Sequence, residues 1–488
     1  MFTFKPLLFA CVFTLLIATL STFDVVADGQ NNKNKLPDIG ISGFSVLSLD
    51  KERQIGKAMM RQLRASQPIM QDPVLIEYIN HLGNQLVKNA QDVNYAFEFF
   101  LINNNELNAF AFFGGHVGVH SGLLTTASNE SELASVLAHE ISHVTQRHLA
   151  RRLESQSQSQ SLTMAGMVSG ILLALVNPTV GIAALSASMA ASQQASINYT
   201  RGNEKEADRV GIALLANSNF DPQGAANFFN KMSEKYRYAS KPPAMLLTHP
   251  LPESRIADAR QRAHNYPIKQ LPPSLPFELA KSRIKSRYQG NAKDNIAYYK
   301  SQLNKKKYAI KAAAQYGLAL SYFDNKQSLP AKDILETLIK TDKNNLFYID
   351  ALTDVYLDLH EYDNAFAMLE PLTLLMPNNQ VVSLNYGNAL LSAKKYDLAA
   401  SVLQDFLLVN PGNFIAYDIL TSVYRAQRKK GLMHISKAEV FALLGAYQKA
   451  VDELQTSYEL VAKQPLLQKR IKARILQFQE QENKLKRL

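Results

Sequence analysis

Apolar and polar positions follow different rhythms along this chain, and each rhythm predicts an element. After Lys5 an apolar run extends from Leu7 to Leu20, and Val25-Val26-Ala27 follows. One cation, a short apolar run and small residues form the pattern of a cleaved export signal. The alternatives are an uncleaved anchor helix or a lipid on Cys11, although the apolar run continues past Cys11. A polar leader, DGQNNKNKLPDIG, comes next. DKERQIGKAMMRQLRA and DPVLIEYINHLGNQLVKNA then repeat their apolar positions every three to four residues, each behind an Asp that can cap a helix. AFEFFLINN reads as a strand, and GGHVGVHSGLL as a second one after a glycine turn. The helical rhythm then runs through SNESELASVLAHEISHVTQRHLARRLE, predicting one long helix. SQSQSQS (155–161) is a low-complexity loop.

The segment from Leu162 is the most apolar part downstream of the signal. Its run to Val176 is 15 residues, about 22 Å as a helix against a hydrocarbon core of about 30 Å. With Asn177-Pro178 breaking it, the segment reads as a helical hairpin, buried against the neighbouring domain or resting on a membrane surface. YPIKQLPPSLPFE (266–278) holds four prolines and reads as a linker. Beyond it the pattern repeats every 34 residues: Tyr322, Tyr356, Leu390 and Tyr424; Ala331, Ala365 and Ala399; Leu335, Leu369 and Leu403. Ala319, Thr353 and Gly387 form a column of small residues, and Pro377 and Pro411 keep the same spacing. This is the period of a tetratricopeptide repeat, paired helices stacked into a solenoid. A further unit, GAYQKAVDELQTSYELV, is offset by an insertion around KKGLMHISKAEV. The expected organisation is a signal (1–27), a leader (28–44), a first domain (45–265), the linker (266–278) and a repeat domain (279–488).

Composition changes this picture little. Of 488 residues, 47% are hydrophobic, enough for sizeable cores, and Cys11 is the only cysteine. Without its signal the chain has no thiol, which excludes disulfides and cysteine nucleophiles. The net charge of +11 is spread along the chain. It allows contact with anionic membrane surfaces, and no nucleic-acid motif accompanies it.

The chemistry gathers at HEISH. His139 and His143 are four apart on a helix, so both imidazoles face one way and can share a Zn²⁺ ion. Glu140 lies beside that face, placed to take a proton from a metal-activated water. A catalytic site of this kind needs a third protein ligand. NEKEAD supplies it 61 residues after His143: Glu204 is the preferred ligand, opening a short helical pattern. Asp208, one turn on, is placed to accept the outer N–H of a ligand histidine. Glu206 is the rival ligand, about 160° from the turn that Glu204 and Asp208 share. His116 and His120, on a strand before the active helix, read as surface histidines. That strand reads as an edge with which an extended peptide can pair. His148 points away from the metal face of a continuous helix and reads as structural.

HEISH with NEKEAD resembles the M48 family of zinc metallopeptidases, and NAFAFFGGHVGVHSGLL and THPLPESRIADAR are similar to further blocks of that family. The likeness covers roughly residues 45 to 265. It implies a mainly α protein: a gluzincin-type α+β metalloprotease domain with a small sheet, followed here by the α-solenoid. It also implies one Zn²⁺ per chain on His139, His143 and Glu204, with Glu140 as general base. His249 is placed near the metal, either stabilising the oxyanion or occupying the fourth zinc position and holding the enzyme latent. With an export signal and repeats, the whole chain resembles the branch of the family that works in the Gram-negative periplasm. The resemblance implies an endopeptidase with chaperone-like activity on unfolded or stalled outer-membrane β-barrel proteins and their assembly machinery. The alternative is a repeat-based assembly chaperone or adaptor whose protease is mostly latent.

Overall fold

The computed structural model describes residues 47–157, 193–237 and 244–486. The export signal, the leader and the apolar segment 162–192 lie outside the described residues. Among the described residues, no helix is long and apolar enough to cross a membrane.

The first domain is built on a three-stranded sheet. Helix α1 (Leu49–Ser66) is capped by the Ser48 hydroxyl, and α2 (Pro73–Val87) by the Asp72 carboxylate with proline at the first turn. Strands β1 (Glu98–Ile102), β2 (Ala109–Phe112) and β3 (His116–His120) pair in the order β1-β3-β2. β3 is parallel to β1 and antiparallel to β2. Gly114 (φ 80°) and Gly115 (φ 84°) make the tight β2–β3 turn, a backbone region that L side chains rarely adopt.

Both faces of the sheet are buried, which explains the unbroken apolar string FFLI (99–102). Phe99, Leu101, Val117 and Val119 pack with α2 and with α4 (Glu130–Thr145). Phe100, Ile102, Phe110 and Phe112 pack with α1 and with α5 (His148–Ser157). The short α3 (Ser121–Thr126) joins β3 to α4.

Four expectations change here. The strand HVGVH is the centre of the sheet, with β1 and β2 at its edges; residues 68–70 bond along the outer side of β1, and β2 is a strand the alternation did not isolate. His116 and His120 are buried: His116 stacks on Phe112 and reaches Glu98 Oε2 at 3.1 Å, and burial pushes His120 down to about 4. The long helix through HEISH is two helices, broken at Arg147, whose φ is 52°. The first positions of the Ser-Gln stretch, 155–157, finish α5.

Four further helices complete the domain: α6 (Gln193–Asn217), α7 (Gln223–Tyr236), α8 (Ala244–Thr248) and α9 (Glu253–Ala263). Glu204 lies within a 25-residue helix and does not open a short one. The proline-rich stretch ends in helix α10 (Leu275–Tyr288), whose first turn takes in its last four residues.

Beyond α10, α11 (Ala292–Asn304) leads into stacked helical hairpins. They are α12 (Lys311–Asp324) with α13 (Ser328–Thr341), α14 (Leu346–Asp358) with α15 (Tyr362–Leu375), and α16 (Gln380–Ser392) with α17 (Tyr396–Val409). α18 (Phe414–Ala426), α19 (Lys430–Leu443), α20 (Tyr447–Leu460) and α21 (Pro465–Lys486) follow. Asn345, Asn379 and Asn413, one period apart, cap the first helix of successive hairpins. The alanine and leucine columns at 331/365/399 and 335/369/403 are fully buried. At Gly387 a Cβ would come within 2.8 Å of Leu403, so the small column sets how closely the helices approach. The insertion is a whole helix, α19. The Tyr-Ala-Leu pattern of Tyr396, Ala399 and Leu403 returns at Tyr447, Ala450 and Leu454 one and a half periods later.

The repeats dock on the first domain through buried charge. Arg283 of α10 donates to Asp72 Oδ2 (2.6 Å) and to Tyr316 Oη (2.9 Å), and its third nitrogen lies 2.6 Å from Asp350 Oδ2. Tyr288 Oη donates to the same Asp72 oxygen at 2.9 Å, and Asn385 donates to Asp350 at 3.0 Å. Asn379 and Gln380 at the start of α16 donate to Glu77 of α2. Arg61 of α1 lies 5.6 Å over the Tyr447 ring. Helical surface that a repeat array commonly offers to partners is therefore partly taken by the chain's own α2.

Candidate metal centre

α4 is the scaffold of the site. Asn129 caps it through the Glu132 amide, and Leu133, Leu137 and Ile141 bury its inner face. His139 and His143 then project from one turn to the next, their Nε2 atoms 3.0 Å apart. α6 crosses α4 where Gly211 meets the backbone of His139; a Cβ there would lie 3.1 Å from the His139 amide nitrogen. That close approach brings Glu204 and Asp208 of α6 to the α4 histidines. Gly211→Ala is expected to force the helices apart and cost about 1–3 kcal/mol of stability, read from thermal melts.

Four ligand atoms converge. His139 Nε2 is 3.3 Å from Glu204 Oε2 and 3.4 Å from His249 Nδ1. Glu204 Oε1 is 3.4 Å from His143 Nε2 and 3.0 Å from His249 Nδ1. All four lie within 4.8 Å of one another. A tetrahedral ion with bonds of about 2.0–2.1 Å separates its ligand atoms by about 3.3 Å, so these spacings fit such an ion.

The surroundings orient these groups. Asp208 Oδ1 lies 3.0 Å from His139 Nδ1, the ring nitrogen facing away from the cluster. Arg255, from α9, donates to both Asp208 oxygens at 2.7 and 2.8 Å and lies 2.9 Å from Glu204 Oε2. It also donates to the Pro250 carbonyl at 2.7 Å, tying the loop that carries His249 to the same carboxylates. His249 itself ends α8, its amide donating to the Met245 carbonyl. Its Nε2 lies 3.5 Å from Glu140 Oε1, and Glu140 is buried. Val136, Ile212, Phe229, Met232, Met245 and Leu251 form an apolar wall behind His139 and His249.

Charge explains why these groups tolerate burial. Two buried carboxylates, Glu204 and Asp208, share one guanidinium, and a third, Glu140, is buried beside His249, so the cluster calls for further positive charge. Burial opposes charging His139, but the carboxylates of Asp208 and Glu204 outweigh it and push the ring up to about 10. Burial holds His143 well below the usual range, against the pull of Glu204. Burial alone would raise Glu204; the charge of His249 and the hydrogen bond from His139 outweigh it and hold the carboxyl well below the usual range. A metal ion supplies the same positive charge, displacing protons as it binds.

Of the residues singled out in the sequence, the structure brings His139, His143, Glu204, His249, Glu140 and Asp208 together. Glu206 stands apart from the four ligand atoms, 2.8 Å from Arg151 and 3.1 Å from His148. The hydrogen bond from His148 holds it down to about 2, against its partial burial. Sequence reasoning missed two residues. Arg255 stands in the block ESRIADAR, but its partners are distant along the chain. His148, expected to point off the metal face, has its Nδ1 2.8 Å from His143 Nδ1. The break at Arg147 is the reason. On an unbroken helix, five residues would carry His148 about 140° around from His143.

The profile of peptidase family M48 matches residues 75–263. A Vibrio cholerae relative is 44% identical over 469 residues, covering 96% of this chain and 97% of its own. The β-barrel assembly-enhancing protease of Escherichia coli K12 is 40% identical, covering 96% of each chain. That of Yersinia pestis is 38% identical, covering 95% of this chain and 97% of its own. The chain belongs to peptidase family M48, in the group of the β-barrel assembly-enhancing proteases, and is a metalloprotease.

Proposed function

We propose that the chain is a zinc endopeptidase of the Gram-negative periplasm, holding one Zn²⁺ on His139, His143 and Glu204. Its clients are stalled or misassembled outer-membrane β-barrel proteins, its partners include the machinery that assembles them, and proteolysis is joined to a chaperone-like role. The convergence of four ligand atoms at tetrahedral spacing carries this reading. When bound, zinc supplies the acidity that makes water a nucleophile near neutral pH and the polarisation of the scissile carbonyl. Glu140 takes the water proton and delivers it to the leaving amine. Asp208 accepts from His139 Nδ1 and keeps Nε2 free to ligate.

The free edge of β2, packed against α4, suits an extended peptide. Backbone pairing there selects for extension more than for sequence. Unassembled β-barrel chains present such unpaired strands. The export-signal pattern at residues 1–27, the absence of cysteine beyond Cys11 and the kinship with Gram-negative proteases support the periplasmic assignment.

The latent reading of His249 is the better supported of its two roles. Its Nδ1 belongs to the donor set and its Nε2 faces Glu140, so one ring covers both the fourth metal position and the base. His249→Ala is expected to raise casein cleavage several-fold, with one zinc retained per chain by metal analysis. Slower cleavage would assign His249 to the oxyanion, and a wild-type chain that binds no zinc would sink the metal reading.

A further inference from the structure

His139 and His143 both turn Nε2 towards the four-atom cluster, so each must carry its proton on Nδ1 for Nε2 to ligate. For His139 the acceptor is Asp208. For His143 the group at Nδ1 is another imidazole, His148 Nδ1 at 2.8 Å. Two ring nitrogens at that distance share one proton, so if His143 donates, His148 must accept. Its own proton then lies on Nε2, which faces Glu206 Oε2 at 3.1 Å. Arg151 donates to that same oxygen at 2.8 Å. Every proton in the row has one place.

The backbone enforces the row. Arg147 takes the left-handed conformation between α4 and α5, at a cost that its anchored side chain offsets. Its guanidinium is buried and donates to Glu52 of α1, at 3.0 Å from Nε, and to the Leu47 carbonyl at 2.7 Å. Tyr95 Oη completes the anchor by donating to the other Glu52 oxygen at 2.5 Å. The turn thus held folds His148 back onto His143.

We propose that His148 is a positioning residue of the metal centre: with Glu206 and Arg151 behind it, it fixes the tautomer and orientation of His143. The inference rests on the zinc reading above. Orienting partners of metal-ligating histidines are typically worth about 10–100-fold in metal affinity.

The test is zinc affinity of the full-length mature protein, measured by competition with a chromophoric chelator, with circular dichroism and metal-free melting alongside. His148→Leu is expected to bind zinc about 10–100-fold more weakly than wild type. His148→Gln, whose amide oxygen can accept from His143 while its nitrogen donates to Glu206, is expected to recover most of that loss. Glu206→Ala lies at the partly exposed end of the row, outside the packed core, and is expected to weaken zinc binding about tenfold with unchanged metal-free melting. Wild-type affinity in all three variants would overturn the proposal while leaving the zinc site standing, as would a His148→Gln no better than His148→Leu. A wild-type chain without zinc affinity would overturn both.

Discussion

Glu140→Gln is expected to lower casein cleavage by about 10²–10⁴-fold, the contribution of a general base, with one zinc per chain still bound. The side chain follows His139 on α4, is 1% exposed, and its Oε1 makes no hydrogen bond among the described residues. His249 Nε2 lies 3.5 Å from that oxygen. Glutamine has the same shape and removes only the proton-accepting oxygen, so packing and the ligand set persist. Losing a buried charge should leave the melting temperature unchanged or slightly higher. Parallel assays of cleavage, zinc content and melting separate the possibilities. A variant that cleaves at the wild-type rate would remove Glu140 from the mechanism. One that loses zinc as well would make it part of the ligand set.

Arg283→Met is expected to destabilise the chain by about 3–5 kcal/mol, because it leaves buried carboxylates without their cation. Asp72 caps α2 and Asp350 belongs to the second hairpin, so one guanidinium holds the protease domain and the repeats together. All three side chains are almost fully buried. In urea melts the wild-type chain should unfold with the two parts coupled, and the variant should separate into two transitions. Limited proteolysis near residues 267–274, which carry no regular structure, should become faster. Replacing Arg283, Asp72 and Asp350 together by Met, Asn and Asn should recover much of the loss, since the orphaned charge is what costs. A single unchanged transition in Arg283→Met would show that α16 and the Arg61–Tyr447 contact suffice for docking.

What the sequence determined by itself was local or periodic. HEISH places two imidazoles and a carboxylate by helical geometry alone, and NEKEAD sets Glu204 and Asp208 one turn apart for the same reason. The 34-residue columns identify the solenoid because each column is a packing contact repeated in every unit. Tertiary structure decided what depends on partners far along the chain. Which strand is the edge follows from pairing order, and β3, alternating like an exposed strand, is the central one. Arg255 meets Asp208 and Glu204 only because α9 packs on α6. His148 lies against His143 because a buried guanidinium, paired with Glu52 some ninety residues earlier, holds Arg147 in the left-handed conformation. No periodicity carries that information. A helix broken at a non-glycine residue is stabilised by a distant ion pair, and its sequence still reads as one unbroken helix.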